Sequence, residues 1–415
     1  MLQKRTQRML TLFFGGLTLM HGYFLWQSRY EIAIGRSDFS SFYTAAQMLH
    51  QGKAHQLYDL KSQEIVQTSI LPIGVKERHA ILPYTHPPFE TVIFLPLAQV
   101  SYVPAYWIWF GINIGLLTAI IINLRRNLPF LGEVPFHLWL LAFFSFQPIF
   151  VALLQGQDSI LLLFCFCLAF AALRRNSDGS AGAWLGLGLF KFQIVLPFIF
   201  ALLFKRASVL KAFIAVAVLL TLIGATVVGW QGLYNYPGYI VGLEHNAKLH
   251  PLVSSEGTAS LYGLISEMVG SGHSGLNVTV TLVLSVALLA ISAAVCRRGR
   301  QSGAQYLNLA FAANVLIALL LGYHIWIHDL SLLILALLLV LENCSSVTFT
   351  ITKWPRTLGL SCVALLWSPL YIVLIHYHRL GLVSVVLLTL LATVLIHIHQ
   401  TRNLRLPGNA ALHEI

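Results

Sequence analysis

Asp38 is the first residue in this sequence whose type and position suit chemistry. It stands in the stretch Gly35–Leu60, GRSDFSSFYTAAQMLHQGKAHQLYDL, directly after the first long apolar segment and so close to a membrane surface. An acid there has two uses. Asp38, or Ser37 beside it, can cap a helix that begins at Phe39, complementing the helix dipole. Asp38 can equally act as a base, deprotonating a hydroxyl that attacks a lipid-borne electrophile. The two uses are compatible, because a cap holds its side chain in place. Lys191 is the second candidate. It interrupts an apolar stretch at membrane depth, where a charge is costly and usually faces the bundle interior with a partner. A lipid phosphate would suit a lysine as a point-charge partner; snorkelling to the outer surface is the alternative. Arg36 is a further phosphate candidate or a plain surface charge. His86, before Pro87 and Pro88, either lines the same cavity or belongs to a turn. His324 and His328 flank Trp326 in GYHIWIHDLSLL. Either histidine could orient Asp38 or assist proton movement, or both could sit in an interfacial aromatic belt. Asp158 reads as the N-cap of a helix over 159–173, or as a substrate contact, since it faces the same side as Asp38.

The elements that must position these residues are membrane helices. Of the 415 residues, 57% are hydrophobic and only 10% charged, with mean hydropathy +0.75. A soluble chain would carry about 25% charged residues. Apolar windows of about 18 or more residues recur, each long enough to cross a bilayer as a helix. The windows are continuously apolar and lack period-two alternation, which excludes a β-barrel. The fold class is therefore all-α, a polytopic membrane bundle of about 12 helices forming one domain over residues 1–415. The formal charge of +11 sits in short doublets between the windows, such as Arg125/Arg126 and Arg174/Arg175. That is the positive-inside pattern, which places the doublets in the cytoplasm and argues against a nucleic-acid partner. The five cysteines lie in or beside apolar windows without metal-ligand spacing.

On this topology, Met9–Trp26 is a retained first span, since no small-residue cleavage site follows it. External loops cover about 28–88 and 230–275, and both termini are cytoplasmic. Phe39, Phe42, Tyr43, Ala46 and Leu49 recur at helical spacing, with Gly52 as the terminator. They predict an amphipathic helix lying along the membrane surface. The stretch 181–204, broken near Lys191–Pro197, predicts a hairpin of two short helices. Residues 87–100 are apolar but too short to span, so they are re-entrant or interfacial.

The sequence contains no D-x-D and no Gly-rich nucleotide loop, so no metal or other cofactor is expected. The order of its features resembles glycosyltransferase family 87, the polyprenyl-phosphate-mannose-dependent enzymes of the GT-C superfamily. The resemblance runs through Asp38-Phe39, YTAAQMLHQGKAHQLYD, Tyr84-Thr85-His86-Pro87-Pro88-Phe89 and Leu95-Pro96-Leu97. It continues through Gly156-Gln157, GAWLGLGLFK ending at Lys191, and GYHIWIHDLSLL. It implies a membrane enzyme that moves a hexose, mannose by preference, from a polyprenyl-phosphate donor with inversion. The acceptor would be a glycolipid, a polysaccharide or a protein. The acid of the first external loop would be the base, which maps onto Asp38, with His328 ahead of His324 as its helper. Glu256, in EGTASLYGL, resembles a substrate contact of the second loop. The resemblance also suggests a bacterial inner membrane with the site on its external face. A transporter or lipid flippase is the rival reading, expected to show paired broken helices. An assembly subunit would leave Lys191 and the loop acids without a task.

Overall fold

A computed structural model of the protein describes residues 4–202, 207–244, 258–270, 273–297, 303–345 and 353–403. Helices and turns make up its ordered elements, with no strand among the described residues. Among the described residues, eight stretches are long and apolar enough to cross a membrane by length and composition alone, Asp178–Phe200 among them, or up to ten if each of two bent helix pairs is one span, against the twelve or so expected. The bundle has a distinct interior. Gly303–Leu321 and Ile327–Cys344 are 78% and 94% buried, whereas Lys4–Gln27 is 6% buried. A helix that is apolar all round and enclosed by neighbours is a core helix, and one that exposes Leu12, Leu19 or Val283 needs lipid around it.

Three breaks in the helices shape the bundle. The pair Phe136–Ser145 and Gln147–Gln155 bends by 68°. Phe146 is extended there and Pro148 starts the second helix. A break at this depth frees a carbonyl that must find a donor. His21 of the first helix supplies it, donating from Nδ1 to the Phe144 oxygen at 2.8 Å. Its Nε2 lies 2.7 Å from the Gln147 carboxamide, and its ring stacks on Phe150. The second break lies within Asp178–Leu187, Gly188–Lys191 and Phe192–Leu202. A methyl added at Gly188 would touch Val195 at 3.2 Å, although seven residues of straight helix rise about 10.5 Å. Gly182 likewise abuts the Val209 carbonyl, and Gly186 abuts Val216. The chain therefore turns back at 188–191, as the sequence predicts, and Ala207–Glu244 starts beside Asp178–Leu187 in the same direction. The third break is Gly229, where φ of 74° ends one helical stretch, so the expected second external loop opens as helix.

The Phe39–His50 helix forms as its spacing predicts, and protein covers both of its faces. Phe39, Phe42, Tyr43, Ala46 and Met48 are all buried, and so are Ser40, Ser41 and Thr44 opposite them. Its polar side is covered by protein: Ser41 donates to the Pro83 carbonyl at 3.0 Å and Gln47 to the Ala98 carbonyl at 2.8 Å. The apolar run after Pro87 is part of that cover. It folds into three short turns, Pro88–Glu90, Thr91–Phe94 and Leu95–Gln99, and stacks Phe94 on Phe42 at 4.7 Å.

The hairpin's close packing is testable. A methyl at Gly182 would stand 2.0 Å from the Val209 carbonyl oxygen, a backbone atom that cannot swing aside. Gly182→Ala is expected to lower stability by roughly 1–3 kcal/mol, read as a lower melting temperature in detergent. An unchanged melting temperature would contradict this contact.

Candidate active site

Lys191 stands at the tip of the hairpin, and two acids from elsewhere in the chain meet it. Its Nζ lies 2.7 Å from Asp329 Oδ1 and 2.9 Å from Asp158 Oδ1, with all three residues at 2% exposure or less. Lys191 therefore does not snorkel. Asp158 occupies the N-cap position of Ser159–Arg174 as expected, yet its side chain makes no cap bond; Lys191 takes it instead. Asp329 is gripped from three sides: Ser159 Oγ donates to Oδ1 at 3.2 Å, the Trp326 N–H to Oδ2 at 3.0 Å, and Lys191 completes the set. His328 Nε2 lies 3.6 Å from Asp329 Oδ2, and His328 is within electrostatic range of Asp38 and Asp158. His324 lies in ring contact with Tyr323 and Trp326, as an aromatic belt would place it. Glu256 lies outside the described residues.

A second pair joins this triad. His86 Nδ1 is 2.9 Å from Glu90 Oε2 and 3.4 Å from Asp158 Oδ2. Three tyrosine hydroxyls fix the loop that carries it, donating to the carbonyls of His86 (Tyr58, 2.9 Å), Thr85 (Tyr236, 2.9 Å) and Tyr84 (Tyr239, 3.1 Å). Glu90 is fully buried, and burial pushes its carboxyl up to about 8 despite the pull of His86. Burial disfavours the charge on His86 too, but Glu90 and Asp158 outweigh it and raise that pKa. Asp158 goes the other way, because Lys191 and His86 overcome its burial and lower its pKa. The cluster thus sets Lys191 and His86, two groups that can carry positive charge, beside Asp158 and Asp329, while burial favours the neutral form of Glu90. His86, Glu90 and Asp158 each bring a ligand atom within 4.8 Å of the others, a set that could hold a metal ion and that no sequence spacing announces.

Asp38 lies beside this cluster on different terms. It is at the N-cap position of Phe39–His50, but its carboxylate makes no cap bond. Gln157 Nε2 donates to Asp38 Oδ2 at 2.7 Å, and the Asp38 N–H donates to Gln155 Oε1 at 3.1 Å. So the side chain is held by a neighbouring loop, not by its own helix. Gly156 makes the approach possible. Its φ of 64° suits glycine, and a methyl there would stand 2.7 Å from Phe39 Cβ. Trp109 fixes the same turn by donating to the Gly156 carbonyl at 3.0 Å. Arg36 points away, paired with Glu31 at 2.9 Å and Glu77 at 3.6 Å on the exposed surface. Arg78 takes the inner place. It donates to the Gly35 carbonyl at 2.7 Å, lies within electrostatic range of Asp38, and has no carboxylate within 4.0 Å among the described residues. Sequence reasoning missed Arg78, Gln157 and Glu90. Only Glu90 carried a signal, a charge inside an apolar run.

The raised pKa of Glu90 sets a pH dependence. An unfolded Glu90 titrates near 4.5 and the folded one near 8. Below the lower value its contribution is fully present; as pH rises through the upper one it is lost, at up to about 1.4 kcal/mol per pH unit between them. His86, also raised, loses its contribution in the same direction. Melting in detergent from pH 5.5 to 8 is therefore expected to fall for the wild type and to fall less for Glu90→Gln, which keeps an acceptor for His86. Equal slopes would contradict a protonated Glu90.

The sequence matches the model of glycosyltransferase family 87 over residues 84–327, more than half of the chain. No curated protein and no solved structure matches it. The matched stretch carries His86, Glu90, Gln157, Asp158 and Lys191, and stops immediately before His328. Asp38 precedes it and joins the site through Gln157. A bent helix pair occurs in each half, Phe136–Gln155 and Trp354–His376, as a transporter would show, but the family match gives the bundle a different occupation. The chain belongs to glycosyltransferase family 87 and is a membrane glycosyltransferase.

Proposed function

We propose that the chain moves a hexose, mannose by the resemblance, from a polyprenyl-phosphate donor to an acceptor hydroxyl with inversion, and that Asp38 is the base. One observation carries this. Of the four acids gathered here, Asp158 and Asp329 are buried against Lys191 and Glu90 is buried beside His86, whereas Asp38 is partly exposed and held by a neutral amide. A base must be reachable and unpaired by a fixed cation to take a proton. In the reaction, Asp38 removes the hydroxyl proton as that oxygen attacks the anomeric carbon. The bond from that carbon to the phosphate oxygen breaks, and the phosphate leaves with the electron pair.

The sequence suggests Lys191 for that phosphate, but its charge is balanced by two carboxylates. Arg78, an inner guanidinium without a carboxylate of its own, suits the role better, since a planar fork of donors binds phosphate oxygens in pairs. His328 serves as a proton-handling neighbour. Placement supports an external face. Tyr102–Asn127 begins beside Ser37 and ends at Arg125 and Arg126, and Ser159–Arg174 begins at Asp158 and ends at Arg174. The basic doublets thus lie a helix length away from the site, which by the positive-inside rule puts the site outside, in a bacterial inner membrane by the resemblance. The acceptor is a glycolipid, a polysaccharide or a protein chain.

Asp38→Asn is expected to fold and melt as the wild type does while transferring no radiolabelled mannose from polyprenyl-phosphate mannose to a crude lipid extract. Near wild-type turnover would remove Asp38 as the base. Arg78→Ala is expected to raise KM for the donor about tenfold, equivalent to about 1.4 kcal/mol, with Arg36→Ala close to wild type. The reverse ranking would return the phosphate to Arg36.

A further inference from the structure

Gln157 does more than hold Asp38. Its side chain is planar, with a nitrogen that donates and an oxygen that accepts. The Asp38 carboxylate can only accept, so the nitrogen must face it, which fixes the oxygen on the other branch. That oxygen, Oε1, is buried and has no hydrogen-bond partner, and the residue as a whole is 6% exposed. Buried acceptors are nearly always paired, so this one is an unfilled demand for a donor, one amide away from the reacting base. The amide cannot easily turn to satisfy itself elsewhere. Gln155 on one side binds the Asp38 N–H, Gly156 between them is pressed against Phe39, and Trp109 holds the Gly156 carbonyl.

We infer that Gln157 is a substrate-binding residue, whose Nε2 positions Asp38 while Oε1 accepts a hydrogen bond from a hydroxyl of the sugar being transferred. This deepens the proposed sugar transfer and rests on it. The chemistry fits. For Asp38 to act, the anomeric carbon must lie next to the acceptor oxygen that Asp38 deprotonates. The ring hydroxyls of that sugar then lie within one ring's width of Asp38, and Oε1 belongs to the amide that holds Asp38. A single carboxamide would tie the base to the substrate, so that a misplaced sugar leaves both misaligned. A site built on such a contact rejects an analogue lacking the hydroxyl, because the buried oxygen is left unpaired.

The test uses the full-length protein in detergent with polyprenyl-phosphate mannose and its 2-, 3-, 4- and 6-deoxy analogues. The wild type is compared with Gln157→Met, which keeps the length but has no amide, and with Gln157→Ala. One deoxy donor is expected to lose at least about tenfold in kcat/KM with the wild type. With either variant that loss should shrink below about threefold, while the other deoxy penalties stay as they were. Gel filtration and melting identify which variant is folded, and one folded variant suffices. If all four penalties are the same in a folded variant as in the wild type, Oε1 does not touch the transferred sugar and the inference is overturned. That failure is separable from failure of the broader reading. Absence of transfer by the wild type from any polyprenyl-phosphate hexose, or full activity of Asp38→Asn, overturns the sugar-transfer mechanism itself.

Discussion

Everything at this end of the bundle depends on two carboxylates that could not be buried without Lys191. Asp158 and Asp329 are both removed from water, and an isolated anion in such surroundings is untenable. The lysine answers both from the tip of the hairpin, at 2.9 and 2.7 Å. The three residues come from three elements: the hairpin turn, the short link after Gly156, and the start of Ile327–Leu332. Their charges thus lock those elements together. Removing one member of such a set leaves its partners uncompensated, which costs about 3–5 kcal/mol. Beside them His86 lies 3.4 Å from Asp158 and 2.9 Å from Glu90, whose charge burial disfavours.

The same lock positions Asp38 indirectly. Gln157 is adjacent to Asp158, so the link that Lys191 holds is the link that holds the proposed base. The Phe39–His50 helix must then be rigid enough for the hydrogen bond at its start to mean something. Its burial on both faces, beneath the turns of 88–99, provides that rigidity. A helix floating at the interface would not.

How much of this the sequence discloses depends on how local each feature is. Charges are scarce in this chain, so Asp38, Asp158 and Lys191 stand out, and membrane depth flags Lys191 as needing a partner. The partner itself is not legible, because Asp158, Lys191 and Asp329 are far apart in sequence and meet only after packing. A cap pattern is similarly half-informative. It places Asp38 and Asp158 correctly at helix starts, yet a tertiary neighbour takes each carboxylate. The hairpin is readable because its awkward length is a local signal, though the turn falls at 188–191 and Pro197 lies inside the second helix. The cover over Phe39–His50 is not, since an apolar face looks alike to lipid and to protein, and serine and threonine opposite it disclose nothing. Glu90 in its apolar run carries the same signal as Lys191, but the run is too short to read as a span, which hides it.

Four carboxyl groups at one end of a bundle have been given different tasks by their surroundings alone. Asp158 and Asp329 are locked by a cation, and Glu90 is neutralised by burial beside a histidine. Each is thereby unsuited to accept a proton from a substrate, since the first two would unbalance Lys191 and the third already carries one. Asp38 meets a neutral donor at one oxygen and stays partly exposed, with no cation paired to it among the described residues. Beside that cluster stand Asp38 and Arg78, within electrostatic range of each other. In the proposed transfer from a lipid-linked sugar, these are the anion that removes a proton and the cation that receives the phosphate. The buried acids, held by Lys191 or kept neutral, are left out of both tasks.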